Sequence, residues 1–140
     1  MKVIFFILII FLSTQSFSQS LDKVELINKG NEYFHNNNFK EAENHYKQSL
    51  EKDDEYYKAQ LNLGHSIYKQ AENTKEKNRF EEAEMFYKNS IQVSNTKEDK
   101  AESYYNLGNA QIQSGKFEES IESYKNSLRL TPKNMNAKNN

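Results

Sequence analysis

The sequence of 140 residues contains no cysteine and no tryptophan, and it has one proline and four glycines. The lack of cysteine excludes a disulfide framework, a thiolate metal site and a thiol nucleophile. The 19 basic and 20 acidic side chains nearly balance, which argues against a nucleic-acid binder, because such a protein would show a basic stripe. A small chain without disulfides must be held by packing alone, and this favours regular, repeated helix contacts.

The N-terminus carries a short apolar run, VIFFILIIFL at 3–12, after a basic start. A basic start, an apolar stretch of about ten residues and small residues at Ser16 and Ser18 are typical of a secretory signal peptide. We therefore predict a signal peptide at 1–18, cleavage before Gln19 and export to the periplasm. The run is shorter than the roughly 20 residues of a membrane span; anchoring in the inner membrane by an uncleaved N-terminal segment is the alternative.

Two sequence patterns recur three times along the rest of the chain. In the first, Gly30, Gly64 and Gly108 fall in register within similar stretches, of which the third reads YYNLGNAQIQSGKF. In the second, a Phe, a Glu, a Tyr, a Lys, a Ser and an aliphatic residue recur at identical offsets. The three copies of the second pattern are FKEAENHYKQSL at 39–50, FEEAEMFYKNSI at 80–91 and FEESIESYKNSL at 117–128. Self-similarity of this kind indicates a repeat architecture.

The two patterns together resemble the tetratricopeptide repeat (TPR), a helix–turn–helix unit of about 34 residues. The resemblance implies an all-α fold, a right-handed α-solenoid of three units in which helix A packs antiparallel on helix B. The predicted divisions are a short linker at 19–22, repeat 1 at 23–56, repeat 2 at 57–100 with an insertion near 71–78, repeat 3 at 101–134 and the start of a truncated further helix at 135–140. In the third repeat only Gln111 departs clearly from the family pattern.

The glycines and the insertion each predict a local structure. Gly108 is expected to let helices A and B approach closely by facing the small residues Ser120 and Ser127. Gly115 is expected to end helix A in a left-handed conformation, with Asn37 in the same role in the first repeat. The polar insertion adds about two helical turns, which predicts an extended helical hairpin in the second unit.

Two longer stretches carry a second resemblance. NLGHSIYKQAENTKEKNRFEEAE and YYNLGNAQIQSGKFEESIESYKNSLRLTPKN are similar to the exported TPR proteins encoded in the Bacteroidetes aerotolerance (Bat) operon. This resemblance implies a scaffold within a membrane-associated complex, beside a von Willebrand A-type membrane protein.

No motif for catalysis or for a cofactor is present. The three histidines, His35, His45 and His65, form no local metal-ligand spacing such as HExxH, and no glycine-rich phosphate loop or GxSxG motif occurs. The acidic stretch EKDDE at 51–55 lacks the spacing and glycine of a calcium loop. We predict a protein that is not an enzyme and that takes no metal, no cofactor, no nucleic acid and no small-molecule substrate.

The TPR resemblance implies a concave groove lined by the A helices. Amide side chains both donate and accept hydrogen bonds, so a row of them could pair with the backbone of an extended peptide; the alternative is that they bond within or between the A helices. The predicted groove residues are Asn28, Asn31, Phe34, Leu61, Asn62, His65, Tyr68, Tyr105, Asn106, Asn109 and Ile112. Ile27 and Glu102 stand where the chaperone-tail clamp needs basic residues, which disfavours capture of a C-terminal carboxylate.

Two hypotheses of function follow from the sequence. The first is a scaffold that binds a partner protein or peptide in its concave groove. The second is a structural assembly module that acts through the protruding hairpin or the uncapped C-terminal helix, including self-association through that helix.

Overall fold

The computed structural model describes residues 22–132, and this part of the chain folds into six α-helices without a strand. The helices are α1 (22–35), α2 (Phe39–Lys52), α3 (Tyr57–Thr74), α4 (Lys77–Val93), α5 (Lys97–Gln113) and α6 (Phe117–Leu130). The predicted signal peptide at 1–18, most of the linker and the truncated helix at 135–140 lie outside the described residues. Of the helices just named, none has the length and apolar character that crossing a membrane requires.

Each helix packs on the next one along the chain, from α2 on α3 through to α5 on α6. The pairs α1/α2, α3/α4 and α5/α6 are the three helix–turn–helix units, so the predicted all-α solenoid is confirmed. One continuous core runs through the units. Its buried members are Ile27, Ala42, Tyr46, Ala59, Leu61, Leu63, Ile67, Ala83, Tyr87, Leu107 and Ala110.

The glycines at the centre of the A helices face tyrosine rings. A Cβ atom on Gly64 would lie 2.7 Å from Cε1 of Tyr87, and one on Gly108 would lie 2.7 Å from Cε1 of Tyr124. The expected close approach of the helices is therefore present, but the expectation that small residues fill it was incomplete. Ser120 does lie beside Gly108, since its Oγ donates to the Gly108 carbonyl at 3.0 Å. The ring nevertheless occupies the space that a side chain would need.

Left-handed residues end two of the A helices as expected. Gly115 has a φ of 79°, and the next amide, that of Lys116, donates to the Gln111 carbonyl at 2.8 Å. Asn37 takes the same role after α1 with a φ of 59°. A third such residue, Lys75 at the end of α3, has a φ of 62° and was not foreseen, since lysine carries no signal for this conformation.

The insertion in the second unit is helical. Helix α3 continues for ten residues after Gly64, whereas α5 ends five residues after the equivalent Gly108. Helix α4 begins three residues before Phe80, whereas α2 and α6 begin at the equivalent Phe39 and Phe117. Two residues separate α3 from α4, because α3 ends at Thr74 and α4 begins at Lys77. The predicted extended hairpin is thus confirmed. Arg79, near its tip, is 3.0 Å from the Glu43 carboxylate in the first unit, which ties the hairpin to its neighbour.

A buried carboxylate on each of the first two B helices binds the following unit. Glu43 on α2 is 1 % exposed and accepts hydrogen bonds from Gln70 at 2.6 Å and from Arg79 at 3.0 Å. Glu84 on α4 is 2 % exposed, and both of its oxygens accept from Lys116 at 3.1 Å. These contacts fix the rotation of one unit relative to the next, because each joins residues about 30 positions apart on different units.

Candidate functional site

The A helices meet around a cleft of about 480 Å³. Helix α1 contributes one residue to it, α3 four, α4 one and α5 two. The lining residues are Phe34, His65, Tyr68, Lys69, Glu72, Tyr87, Asn106 and Asn109. Because all three units contribute, the cleft exists only when the units are stacked.

Aromatic rings form much of the wall of this cleft, and each ring is held by a neighbour. Phe34 packs edge-to-face on Phe39, with ring centroids 5.1 Å apart, and Tyr68 packs in the same way on Phe80 at 5.3 Å. Packing of this kind contributes beyond the buried area. The rings are therefore positioned before any ligand arrives, which lowers the entropic cost of binding.

The tyrosines that face the glycines also bind the groove amides. The hydroxyl of Tyr46 donates to Oδ1 of Asn31 at 2.8 Å, and that of Tyr124 donates to Oδ1 of Asn109 at 2.7 Å. In the second unit His65 takes the place of the asparagine, and its ring packs against that of Tyr87 with centroids 5.6 Å apart. The predicted groove amides Asn31 and Asn109 thus also belong to the internal structure of the first and third units.

Two further amides, those of Asn62 and Asn106, bond within or between the A helices, as the alternative interpretation proposed. Nδ2 of Asn62 donates to Oδ1 of Asn31 at 2.9 Å, which links α3 to α1. Nδ2 of Asn106 donates to the Glu102 carbonyl at 2.9 Å within α5. A primary amide offers two N–H donors and two acceptor lone pairs, so these bonds leave each side chain with further capacity.

The cleft carries no net charge at neutral pH. The ammonium group of Lys69 is 2.7 Å from the carboxylate of Glu72, and the two charges compensate each other. Burial lowers the pKa of His65 to about 4, against a hydrogen bond with Asn106 that favours the charged ring, so this histidine is neutral at pH 7. The acidic Glu102 is exposed on α5, and Ile27, at 4 % exposure, belongs to the core.

Five of the predicted groove residues line the cleft, namely Phe34, His65, Tyr68, Asn106 and Asn109. Asn31 and Asn62 are hydrogen-bonded to each other between α1 and α3 and are not among the lining residues. Asn28, Tyr105 and Ile112 are exposed on the A helices outside the cleft lining. The assignment of Leu61 was wrong, because its side chain is 5 % exposed and belongs to the core cluster.

Three lining residues were missed by the sequence reasoning. Lys69 and Glu72 lie in the last two turns of α3, where the lengthened helix forms part of the wall. Tyr87 lies on a B helix, whereas all the predicted groove residues lie on the A helices. The glycine opposite it, Gly64, was the available signal, since a position without a side chain leaves room for the ring.

Other polar clusters in the described chain do not form a comparable site. Within 22–132 no group of three or more His, Asp or Glu side chains is arranged to hold a metal ion. His35 is exposed, and His45 stacks on Tyr33 with centroids 5.1 Å apart. A second, larger cleft of about 620 Å³ lies between α1 and α2 and is lined mostly by exposed charged and polar side chains, which offer a ligand little surface for specific recognition.

Family models of the tetratricopeptide repeat match residues 24–56 and 101–134. The chain therefore carries tetratricopeptide repeats, in agreement with the fold. No curated protein matches the sequence.

Solved TPR structures share the fold across most of the chain. The first TPR of Spaghetti (RPAP3) bound to the HSP90 peptide SRMEEVD superposes with a TM-score of 0.72 and is 23 % identical, over 86 % of this chain and 87 % of that one. The first TPR domain of human RPAP3 superposes with a TM-score of 0.71 and is 23 % identical, over 84 % of this chain and 85 % of that one. The N-terminal domain of stress-induced protein-1 from C. elegans superposes with a TM-score of 0.71 and is 16 % identical, over 81 % of this chain and 87 % of that one. At these identities the likeness concerns the fold.

Proposed function

We propose that this protein is a non-catalytic scaffold that binds an extended, uncharged segment of a partner protein in the cleft between its A helices. The observation that carries the proposal is the lining of the cleft, where preformed aromatic rings on α1, α3 and α4 are combined with two amide side chains on α5. Rings supply apolar contact area, and amides supply hydrogen bonds to a peptide backbone whatever its sequence.

The charge of the cleft supports an uncharged ligand. The HSP90 peptide bound by the first TPR of Spaghetti is acidic, with the sequence SRMEEVD. In the present cleft Lys69 is already paired with Glu72, and a neutral His65 offers no positive charge at pH 7. Burying an acidic side chain without a cation would be costly, so the cleft favours neutral segments with an aromatic or aliphatic residue.

Asn106→Arg tests the proposal because it fills the cleft without removing a core contact. The Asn106 side chain bonds with the Glu102 carbonyl of its own helix and with His65 on the cleft wall, and neither contact belongs to the core cluster. Asn44→Arg, on the partly exposed surface of α2, is the matched control. The assay measures binding of the full chain to an array of seven-residue peptides that differ in net charge and aromatic content, with SRMEEVD as the acidic probe.

We expect neutral peptides with an aromatic residue to bind, the acidic probe to bind at least about tenfold more weakly, and Asn106→Arg alone to abolish binding. An equal loss of peptide binding in Asn44→Arg would show that the cleft is not the peptide-binding site. Preference for the acidic probe would overturn the charge argument.

We further propose that the protein acts after export, in the periplasm or anchored at the inner membrane, within an aerotolerance-type complex that contains a von Willebrand A-type partner. This rests on the N-terminal sequence pattern and on the resemblance to the Bat proteins. A role in assembly through the hairpin or through α6 remains the second candidate function, and the surface of α6 favours it.

A further inference from the structure

Helix α6 presents a stripe of exposed apolar side chains. Phe117, Ile121 and Leu128 are 59 %, 55 % and 41 % exposed, and their spacing along the helix places them on one face. Tyr124, partly buried against α5, lies between them. Within the described chain no further helix covers this face.

The other two units show what this face normally contacts. The residues equivalent to Leu128 are Leu50 and Ile91, which are packed against the core because α3 covers α2 and α5 covers α4. The residues equivalent to Ile121 are the buried carboxylates Glu43 and Glu84. Replacement of this carboxylate by isoleucine removes the charge that binds a following unit, so α6 suits an apolar contact rather than another copy of the internal one.

The first helix of a second copy does not fit on α6. In α3 and α5 the third and tenth positions of the unit are Ala59, Ser66, Ser103 and Ala110, all 0 % exposed. In α1 the same positions hold Glu25 and Glu32, both exposed. Head-to-tail stacking of α1 on α6 would bury Glu32 and the Glu25–Lys29 ion pair, at a high desolvation cost.

We propose that α6 binds α6 of a second copy of this chain in an antiparallel pair. Phe117 of one copy then lies opposite Leu128 of the other, and Ile121 lies opposite Tyr124. The charges of the helix favour this orientation. Glu118 and Glu119 lie in its first turn, whereas Lys125 and Arg129 lie toward its end, where both also pair with Glu122. Antiparallel pairing brings each acidic end to a basic end. This surface is separate from the cleft, so the inference does not depend on the proposed peptide binding.

Disulfide cross-linking of the full chain tests the register, since the natural sequence contains no cysteine. Phe117→Cys and Leu128→Cys are purified separately, mixed and oxidised with copper phenanthroline. We expect a disulfide between the two variants. We expect almost none within Phe117→Cys alone, because its two copies would be about 16 Å apart along the helix pair. Met85→Cys, on an exposed apolar position of α4, is the control and should cross-link with neither.

Cross-linking of Phe117→Cys to itself in preference to Leu128→Cys would overturn the antiparallel register. No cross-link at all, with both cysteines protected from a thiol reagent, would mean that another part of the same chain covers α6.

A substitution within the stripe gives a second measurement. Ile121→Lys should lower the yield of the mixed disulfide by about tenfold or more, and Met85→Lys should leave it unchanged. Unchanged helix content by circular dichroism verifies folding, and an unchanged yield in Ile121→Lys would exclude the stripe as the contact.

Discussion

Glu43→Gln should weaken the contact between the first and second units and should change how stability depends on pH. The Glu43 carboxylate is 1 % exposed and accepts hydrogen bonds from Lys47, Gln70 and Arg79. Burial alone would raise its pKa, but these three donors outweigh burial and lower the pKa from its ordinary value of 4.5 to about 2. Glutamine keeps the shape of the side chain and removes the charge.

The lowered pKa gives both the sign and the size of the effect. Since the folded protein binds this proton more weakly than the unfolded chain, the carboxylate stabilises the fold fully above pH 4.5 and less as the pH falls toward 2. This difference in the pKa of Glu43 between the unfolded and the folded protein corresponds to about 3 kcal/mol of unfolding free energy. Arg79 keeps its contact with Glu82 in the variant, so we expect a loss of about 2–3 kcal/mol at pH 7, at or just below the usual cost of breaking a buried pair.

The measurement is urea denaturation followed by far-ultraviolet circular dichroism between pH 7 and pH 3. The difference in unfolding free energy between the natural protein and Glu43→Gln should be constant down to about pH 5 and should shrink below it. Glu41→Gln, an exposed position on the same helix, controls for the loss of one negative charge and should cost less than about 0.5 kcal/mol. A difference that stays the same from pH 7 to pH 3 would refute the reasoning, since the carboxylate would then titrate alike in both states.

Two further predictions concern glycines and the N-terminus. Gly64→Leu should cost about 2 kcal/mol in the same urea assay, because overpacking against the buried Tyr87 ring outweighs the gain in helix propensity. Gly115→Ala should cost only about 1 kcal/mol, because a Cβ there meets no atom within 4 Å and only the positive φ opposes the substitution. A larger loss of stability in Gly115→Ala than in Gly64→Leu would contradict the assignment of Gly64 to close packing and of Gly115 to the left-handed helix end. N-terminal sequencing of the exported protein should begin at Gln19, and recovery of the intact Met1 form from membranes would instead indicate an anchor.

The fold could be predicted because repetition constrains it more than composition does. Gly30, Gly64 and Gly108 in register set the order of the helices, and the polar character of 71–78 indicated that the insertion could extend outward as helix. Which side chains contact each other between the two helices of a unit could not be predicted in the same way. Periodicity places a tyrosine and a glycine in neighbouring helices, but only the side-chain rotamer decides that the ring lies over the glycine.

The groove was predicted less completely, since its chemistry depends on hydrogen bonds between helices. The sequence showed a row of amides but not that Asn31 accepts from both Tyr46 and Asn62. It also could not separate Leu61 from Tyr105, which occupy the same position of their units. Their burial differs because a following unit packs against the second unit, whereas no described helix follows the third; Ile27, at the same position of the first unit, is buried like Leu61.

Helices α1 and α6 depart from the repeat pattern in different ways and therefore present different surfaces. Where two units meet, small residues on the A helix face the preceding B helix, and a carboxylate on that B helix binds the next unit. Helix α1 replaces the small residues by Glu25 and Glu32, which keeps that face in water. Helix α6 replaces the carboxylate by Ile121, which leaves an apolar face exposed. Because α1 presents a face that disfavours stacking and α6 a face that favours apolar contact, pairing of α6 with α6 would give a closed dimer, whereas stacking of α1 on α6 would give an open filament.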